Sequence, residues 1–223
     1  FPPLTIQPPD FIMILSNRMI RHLLASATIV LLSGCAGIVT PPASFTIYDL
    51  ELPAAAERTG NNAFVPAAIE VRAPSWLSSS AMQYRLDYRQ PTSREVFAES
   101  RWAGHPSEML QRQLAASLGT SGGGNGQCRL RLDLDEFIQR FESVEASTSE
   151  LVVRASILAP RDESVLARER FVIVTPAMSA DAAGGVLAHR QGARRLTDSL
   201  RNWLDTLDGD TAEGLNVRER CRP

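Results

Sequence analysis

The sequence has 223 residues, 44% hydrophobic and 22% charged, with a net charge of −2 at pH 7; this is ordinary globular composition, long enough for one domain with its own core. The slightly acidic balance gives no support to nucleic-acid binding. All 23 basic residues are arginine, a bias that a GC-rich genome explains and that marks no single site.

The first residue is Phe1, and Met13 and Met19 are alternative starts. Phe1 to Ile12 carries Pro2, Pro3, Pro8 and Pro9 and reads as upstream sequence, outside the fold. Arg18 and Arg21 then lead into an uncharged, largely apolar run from Leu23 to Leu32. That length suits the core of an export signal and falls short of the ~20 residues a membrane span needs. The run ends in Leu32-Ser33-Gly34-Cys35, which resembles the lipobox of bacterial lipoproteins. Small residues next to the cut admit the signal protease, and the thiol must be reachable for diacylglyceryl transfer. The expectation is that residues 1–34 are removed and that Cys35 carries acyl chains of the palmitate type. Two or more such chains anchor stably, because each buried CH₂ contributes ~0.8 kcal/mol. Ala36, rather than aspartate, follows the cysteine. By lipoprotein sorting rules this favours the outer membrane, periplasmic face, over retention at the inner membrane. Residues 35–44, with Pro41 and Pro42, form a short lipidated tether.

Residues 45–223 form the domain proper. Phe45 to Glu51 is a short β-prone run, and Ala54 to Pro66 reads as a loop. Ala68 to Arg72 alternates as a strand and stops before Pro74, with Trp76 and Leu77 in a turn. Met82 to Arg89 has period two, placing Met82, Tyr84, Leu86 and Tyr88 on one face. Glu95 to Ala98 suggests a short return strand. Pro106 to Leu118 predicts a helix, with proline in its first turn, leucines at 110, 114 and 118, and Gly119 as its stop. The glycine-rich stretch Ser121 to Gly126 lacks the lysine of a P-loop and reads as a linker.

Arg129 to Asp135 alternates leucine with charge, and Phe137 and Phe141 then fall out of phase, which predicts a bulge or a twist. Glu150 to Leu158 and Leu166 to Thr175 predict a hairpin around Pro160-Arg161-Asp162. Asp181 to Leu207 is the longest predicted helix, with a stripe of Leu196, Leu200, Trp203, Leu204 and Leu207; Gly184 and Gly185 weaken its first turn. Gly209 to Pro223 reads as a polar tail. The order predicts an α+β fold, a single antiparallel or mixed sheet with two helices packed on one face.

Two cysteines follow Cys35. In an exported chain Cys128 and Cys221 invite one disulfide, with two free thiols as the alternative. Neither His105 nor His189 lies at metal-ligand spacing from them, so no metal or other cofactor is expected. No G-x-S-x-G or H-E-x-x-H motif occurs, and no nucleophile, base and orienter assemble; the expectation is not an enzyme.

Taken together, the lipobox, Tyr48-Asp49-Leu50, Ile69-Glu70-Val71 leading to Pro74-Ser75-Trp76-Leu77 and Tyr84, Trp102 ahead of the leucine helix, Leu130 to Phe137 with Phe141, and the Trp203 helix resemble the ABC-type transport auxiliary lipoproteins, the PqiC-like group. The resemblance implies a non-catalytic partner of an MCE-domain protein in an intermembrane lipid transport system. Cys35 is the one functional residue it carries over. Trp76, Leu77 and Tyr84 are candidates for a partner contact surface, with core packing as their other reading. A homo-oligomer stays open. The alternative function is a lipid-binding or outer-membrane assembly lipoprotein acting without an ABC transporter, which would need an apolar cavity between sheet and helices.

Overall fold

The computed structural model describes residues 44–52, 65–120, 126–208 and 217–221, all inside the unit Ser44–Pro223. Its strands are β1 (Thr46–Tyr48), β2 (Ala68–Arg72), β3 (Ala81–Leu86), β4 (Glu95–Trp102), β5 (Arg129–Phe141), β6 (Ser147–Leu158) and β7 (Val165–Pro176). Its helices are α1 (Pro106–Ser117), α2 (Ala182–Asp208) and α3 (Val217–Cys221), and a 3-10 turn spans Ser75–Leu77. The strands make one mixed sheet in the order β1-β4-β3-β5-β6-β7, with β2 also pairing β5. The α+β reading of the sequence holds.

The long strand β5 organises the sheet. One of its edges runs antiparallel to β6 over its whole length, and β6 runs antiparallel to β7. Its other edge is shared: β2 pairs with Arg129–Asp133 and β3 with Gln139–Phe141, both parallel. Between these ladders, residues 73–83 stand opposite residues 134–138, so the chain must leave the sheet edge and return. The 3-10 turn is that excursion.

The sequence of β5 dictates its two faces. Leu130, Leu132 and Leu134 point inward and are inaccessible. The register shifts between Leu134 and Glu136. After it the inward set becomes Phe137, in the core cluster, and Phe141, also buried. The predicted bulge is therefore present, and Asp135 is the residue it accommodates. Leu151, Val153, Ala155 and Ile157 of β6 complete the inner face of the sheet centre.

Leu110 and Leu114 of α1 and Leu196, Leu200 and Leu204 of α2 close over this face. Helix α1 begins with Pro106 at its first turn, and Gly119 at φ 76° ends it, a conformation in which a side chain is strained. Helix α2 is capped by Asp181, whose Oδ1 accepts the Gly184 N–H at 2.7 Å. That bond holds the Asp181 carboxyl below its ordinary value.

Four boundaries differ from the sequence reading. Strand β1 stops at Tyr48, and Glu51 lies at a positive φ of 65°. Strand β3 stops at Leu86 because the Arg89 and Gln90 N–H groups fold back onto the Leu86 carbonyl. The return strand β4 runs on to Trp102, whose N–H donates to Ser80 and whose side chain is buried. The polar tail contains α3, whose Val217 and Cys221 enter the core.

Candidate functional site

The excursion between β2 and β3 is the most exposed aromatic feature of the sheet edge. Pro74 precedes the turn, and the Leu77 and Ser78 N–H groups close it on the Pro74 and Ser75 carbonyls. Three-residue periodicity sends adjacent side chains in different directions. Trp76 projects outward, 55% exposed, while Leu77 turns into the core, 1% exposed. Leu77 is thus not a contact residue: its side chain fills the space under the turn. Of the candidates Trp76, Leu77 and Tyr84, Leu77 takes the core-packing reading and Trp76 is the one that faces outward.

The turn is braced from below. Gln83 Nε2 donates to the Trp76 carbonyl, and its Oε1 accepts from Arg94. Arg94 in turn donates from Nη2 to both carboxylate oxygens of Glu136, at 2.8 and 2.9 Å. A planar guanidinium held by both carboxylate oxygens has little freedom, so the indole stands on a positioned backbone. Gln83, Arg94 and Glu136 were not visible as a unit in the sequence, because the last is 42 residues from the second.

Tyr84 lies beside this turn but faces a different way. Its ring packs 4.7 Å from Phe97 and 5.7 Å from Phe141, centroid to centroid. Its hydroxyl donates to Glu95 at 2.7 Å, which pushes the phenol above its ordinary pKa. Tyr84 is half-buried and supports the sheet edge more than it presents a free face.

The remaining candidate residues separate clearly. Cys35 lies outside the described residues. Cys128, at the foot of β5, is joined to Cys221 of α3 by a disulfide. His105 is exposed ahead of α1, its Nδ1 3.6 Å from Glu108. His189 is buried: its ring stacks on Phe137 at 4.2 Å and meets the Trp102 edge at 5.6 Å. Burial pushes its pKa down to about 3, so the imidazole is neutral. Among the described residues no group of histidine, cysteine and carboxylate side chains is placed to hold a metal. No described helix is long and apolar enough to cross a membrane.

The face of the sheet away from α1 and α2 carries several ion pairs between neighbouring strands. Arg154 pairs bidentately with Asp135 at 2.8 Å, and Arg140 joins Asp87 and Glu150 at 2.7 Å each. The Arg154 pair draws Asp135 below its ordinary value, and the two carboxylates raise Arg140. Cross-strand pairs of this kind keep an open sheet soluble.

Comparison with known proteins follows the same outline. A family model described as "ABC-type transport auxiliary lipoprotein component" matches residues 48–200. A crystal structure of a Xanthomonas campestris protein of the DUF330 family superposes with a TM-score of 0.59 at 20% identity, covering 71% of this chain and 94% of that one. A second, an uncharacterized protein, gives 0.54 at 15% identity over 72% of this chain and 99% of that one. At such identities the likeness is one of fold. No curated protein matches the chain.

Proposed function

Because the chain belongs to the family of ABC-type transport auxiliary lipoprotein components, we propose that it is an outer-membrane-anchored periplasmic lipoprotein, acylated at Cys35, that serves an MCE-type intermembrane lipid transport system without catalysing a reaction itself. The family match over residues 48–200 carries this reading. The basic start, the short apolar run and Leu32-Ser33-Gly34-Cys35 support the anchor. Trp76 is the residue that would meet the MCE-domain partner: a large amphipathic side chain, exposed and held on a braced turn, is what interface anchors are made of. Among the described residues, leucines pack the layer where a lipid-carrying protein would need an apolar cavity, which favours the adaptor reading. Leu110, Leu114, Leu132, Leu196 and Leu200 are inaccessible there.

The test combines two substitutions in cells. Cys35→Ser should abolish fatty-acid labelling and release the protein from the outer-membrane fraction. Trp76→Ala should leave labelling intact and reduce site-specific cross-linking to the MCE protein ~10-fold or more, the range for loss of one interface anchor. Labelling that persists in Cys35→Ser would remove the anchor. Cross-linking that is absent from the unaltered protein would remove the transport role.

A further inference from the structure

Helix α2 carries a second pattern beside its leucine stripe. Arg190, Arg194, Thr197 and Arg201 recur at spacings of four, three and four, which places them on one helical face. That face borders a cleft of about 250 Å³. The opposite walls are Leu50 to Leu52, which follow β1, and Gln113 and Ser117 at the end of α1. Three guanidinium groups thus share one concavity with an apolar lip.

Two of the arginines are fixed by backbone. Arg190 Nε donates to the Asp49 carbonyl at 2.9 Å, and Arg201 Nη2 donates to the Ser117 carbonyl at 2.8 Å. Both carboxylates nearby sit at the rim: Glu51, 3.6 Å from Arg190, and Asp198, 3.1 Å from Arg201, are 58% and 69% exposed. Ion pairs so exposed contribute little. Arg194, between the two fixed arginines, makes no hydrogen bond or ion pair with any described residue. An arginine has five donors in a planar fork suited to phosphate oxygens.

The cleft floor gives an independent indication. Gln113 is 4% exposed, and its Oε1 has no hydrogen-bond partner among the described residues. A buried carboxamide without a partner is costly, and such groups in folded proteins are normally satisfied. A ligand hydroxyl would supply the missing donor. Alternatively, rotation of the carboxamide would present its NH₂ to an anion. Arg194 above is exposed and reaches solvent; the buried carboxamide below it is the group that points to a polar ligand, and capping of α1 by Arg201 does not account for it.

We propose that this cleft binds a phosphate group, either free or borne on a lipid headgroup, with Arg194 as its principal cationic contact, Arg190 beside it and Gln113 at its base. The glycerol of a headgroup would lie toward Gln113, and the exposed Leu52 would flank whatever extends outward. The site goes beyond the transport role proposed above and does not depend on it.

The test uses the full chain in a non-ionic maltoside detergent, titrated with inorganic phosphate, with glycerol 3-phosphate and with monomeric dihexanoyl phosphatidylglycerol. Binding is read by thermal shift and by ³¹P line broadening. At least one probe should saturate, and Arg194→Gln should weaken it tenfold or more. Arg168→Gln, on strand β7, removes the same charge outside the cleft and should change binding less than twofold. Tighter binding of the lipid identifies a headgroup site; tighter binding of either soluble probe identifies a free-phosphate site. No saturable binding of any probe, or equal weakening by the two substitutions, overturns the proposal.

Discussion

The two halves of α2 meet the same sheet by opposite means. The C-terminal half presents Leu196, Leu200 and Leu204, all inaccessible, with Trp203 edge-on to Phe171 at 6.1 Å. The N-terminal half buries Val186 and the His189 ring, but it also meets the sheet through glycines set against polar side chains. A Cβ on Gly185 would lie 1.9 Å from Gln139 Oε1, and one on Gly192 would lie 3.3 Å from Thr175 Oγ1. Gln139, Ser149 and Thr175 are buried beneath them, and Gln139 Nε2 donates to Ser147 Oγ and to the Asp181 carbonyl. One half is held off the sheet by side chains that fill space. The other is drawn close because side chains are missing. Burial alone therefore does not describe how a helix is attached: attachment by volume tolerates local adjustment, whereas attachment by close approach fixes particular atoms.

The largest effect expected on this contrast is at the leucine end. Leu200→Ala should lower unfolding free energy by about 2–5 kcal/mol, the range for a fully buried leucine, read as a fall in the urea midpoint. A loss below ~1 kcal/mol would mean that the C-terminal half is not packed as described.

At the other end, Gly185→Ala should cost ~1–3 kcal/mol from overpacking, although alanine is the better helix former. The origin is specific, so Gln139→Ala in the same chain should recover at least half of the loss in a double-mutant cycle. Additive effects would place the strain elsewhere in the first turn, where a Cβ on Gly184 would meet the Ser179 carbonyl at 2.1 Å.

The smallest effect is set by His189, which sits in this half between Phe137 and Trp102. Unfolded, it takes up a proton near pH 6.5; folded, only near pH 3. Between those values the unfolded chain holds the extra proton, so stability falls as pH drops, by at most ~1.4 kcal/mol per unit. The loss by pH 5 should be ~2 kcal/mol, and His189→Gln should flatten the profile over that interval. Asp135 and Asp181 act lower, since their lowered values matter only below the ordinary aspartate value of 3.8. An unchanged slope in His189→Gln would assign the acid sensitivity to other groups.

The contrast also explains what could be read in advance. Local periodicity exposed the leucine half of α2, the faces of β5, its bulge after Leu134 and the hairpin of β6 and β7. Gly184 and Gly185 looked like a weak helix start, because propensity knows nothing of Gln139 on another element. The length of β4 was hidden by Glu99 and Ser100, which interrupt its alternation. The sharing of one β5 edge by β2 and β3 depends on pairings far apart in sequence. At the candidate contact, Trp76 and Leu77 are adjacent and chemically alike, and only the turn decides which faces out. The arginine face of α2 has helical spacing that a sequence could show; the Gln113 floor and the Leu50 wall could not be anticipated from it.

The disulfide has a temporal meaning. Cys128 is synthesised 93 residues before Cys221, so its sulfur must wait until β6, β7 and α2 have followed before its mate exists. Cys35 also precedes Cys221 in the chain, and a chain with three free sulfurs can close in three ways. Conversion of Cys35 to a thioether would take it out of the contest. The order of the two maturation reactions would then set how many pairings are open to Cys128 when Cys221 arrives.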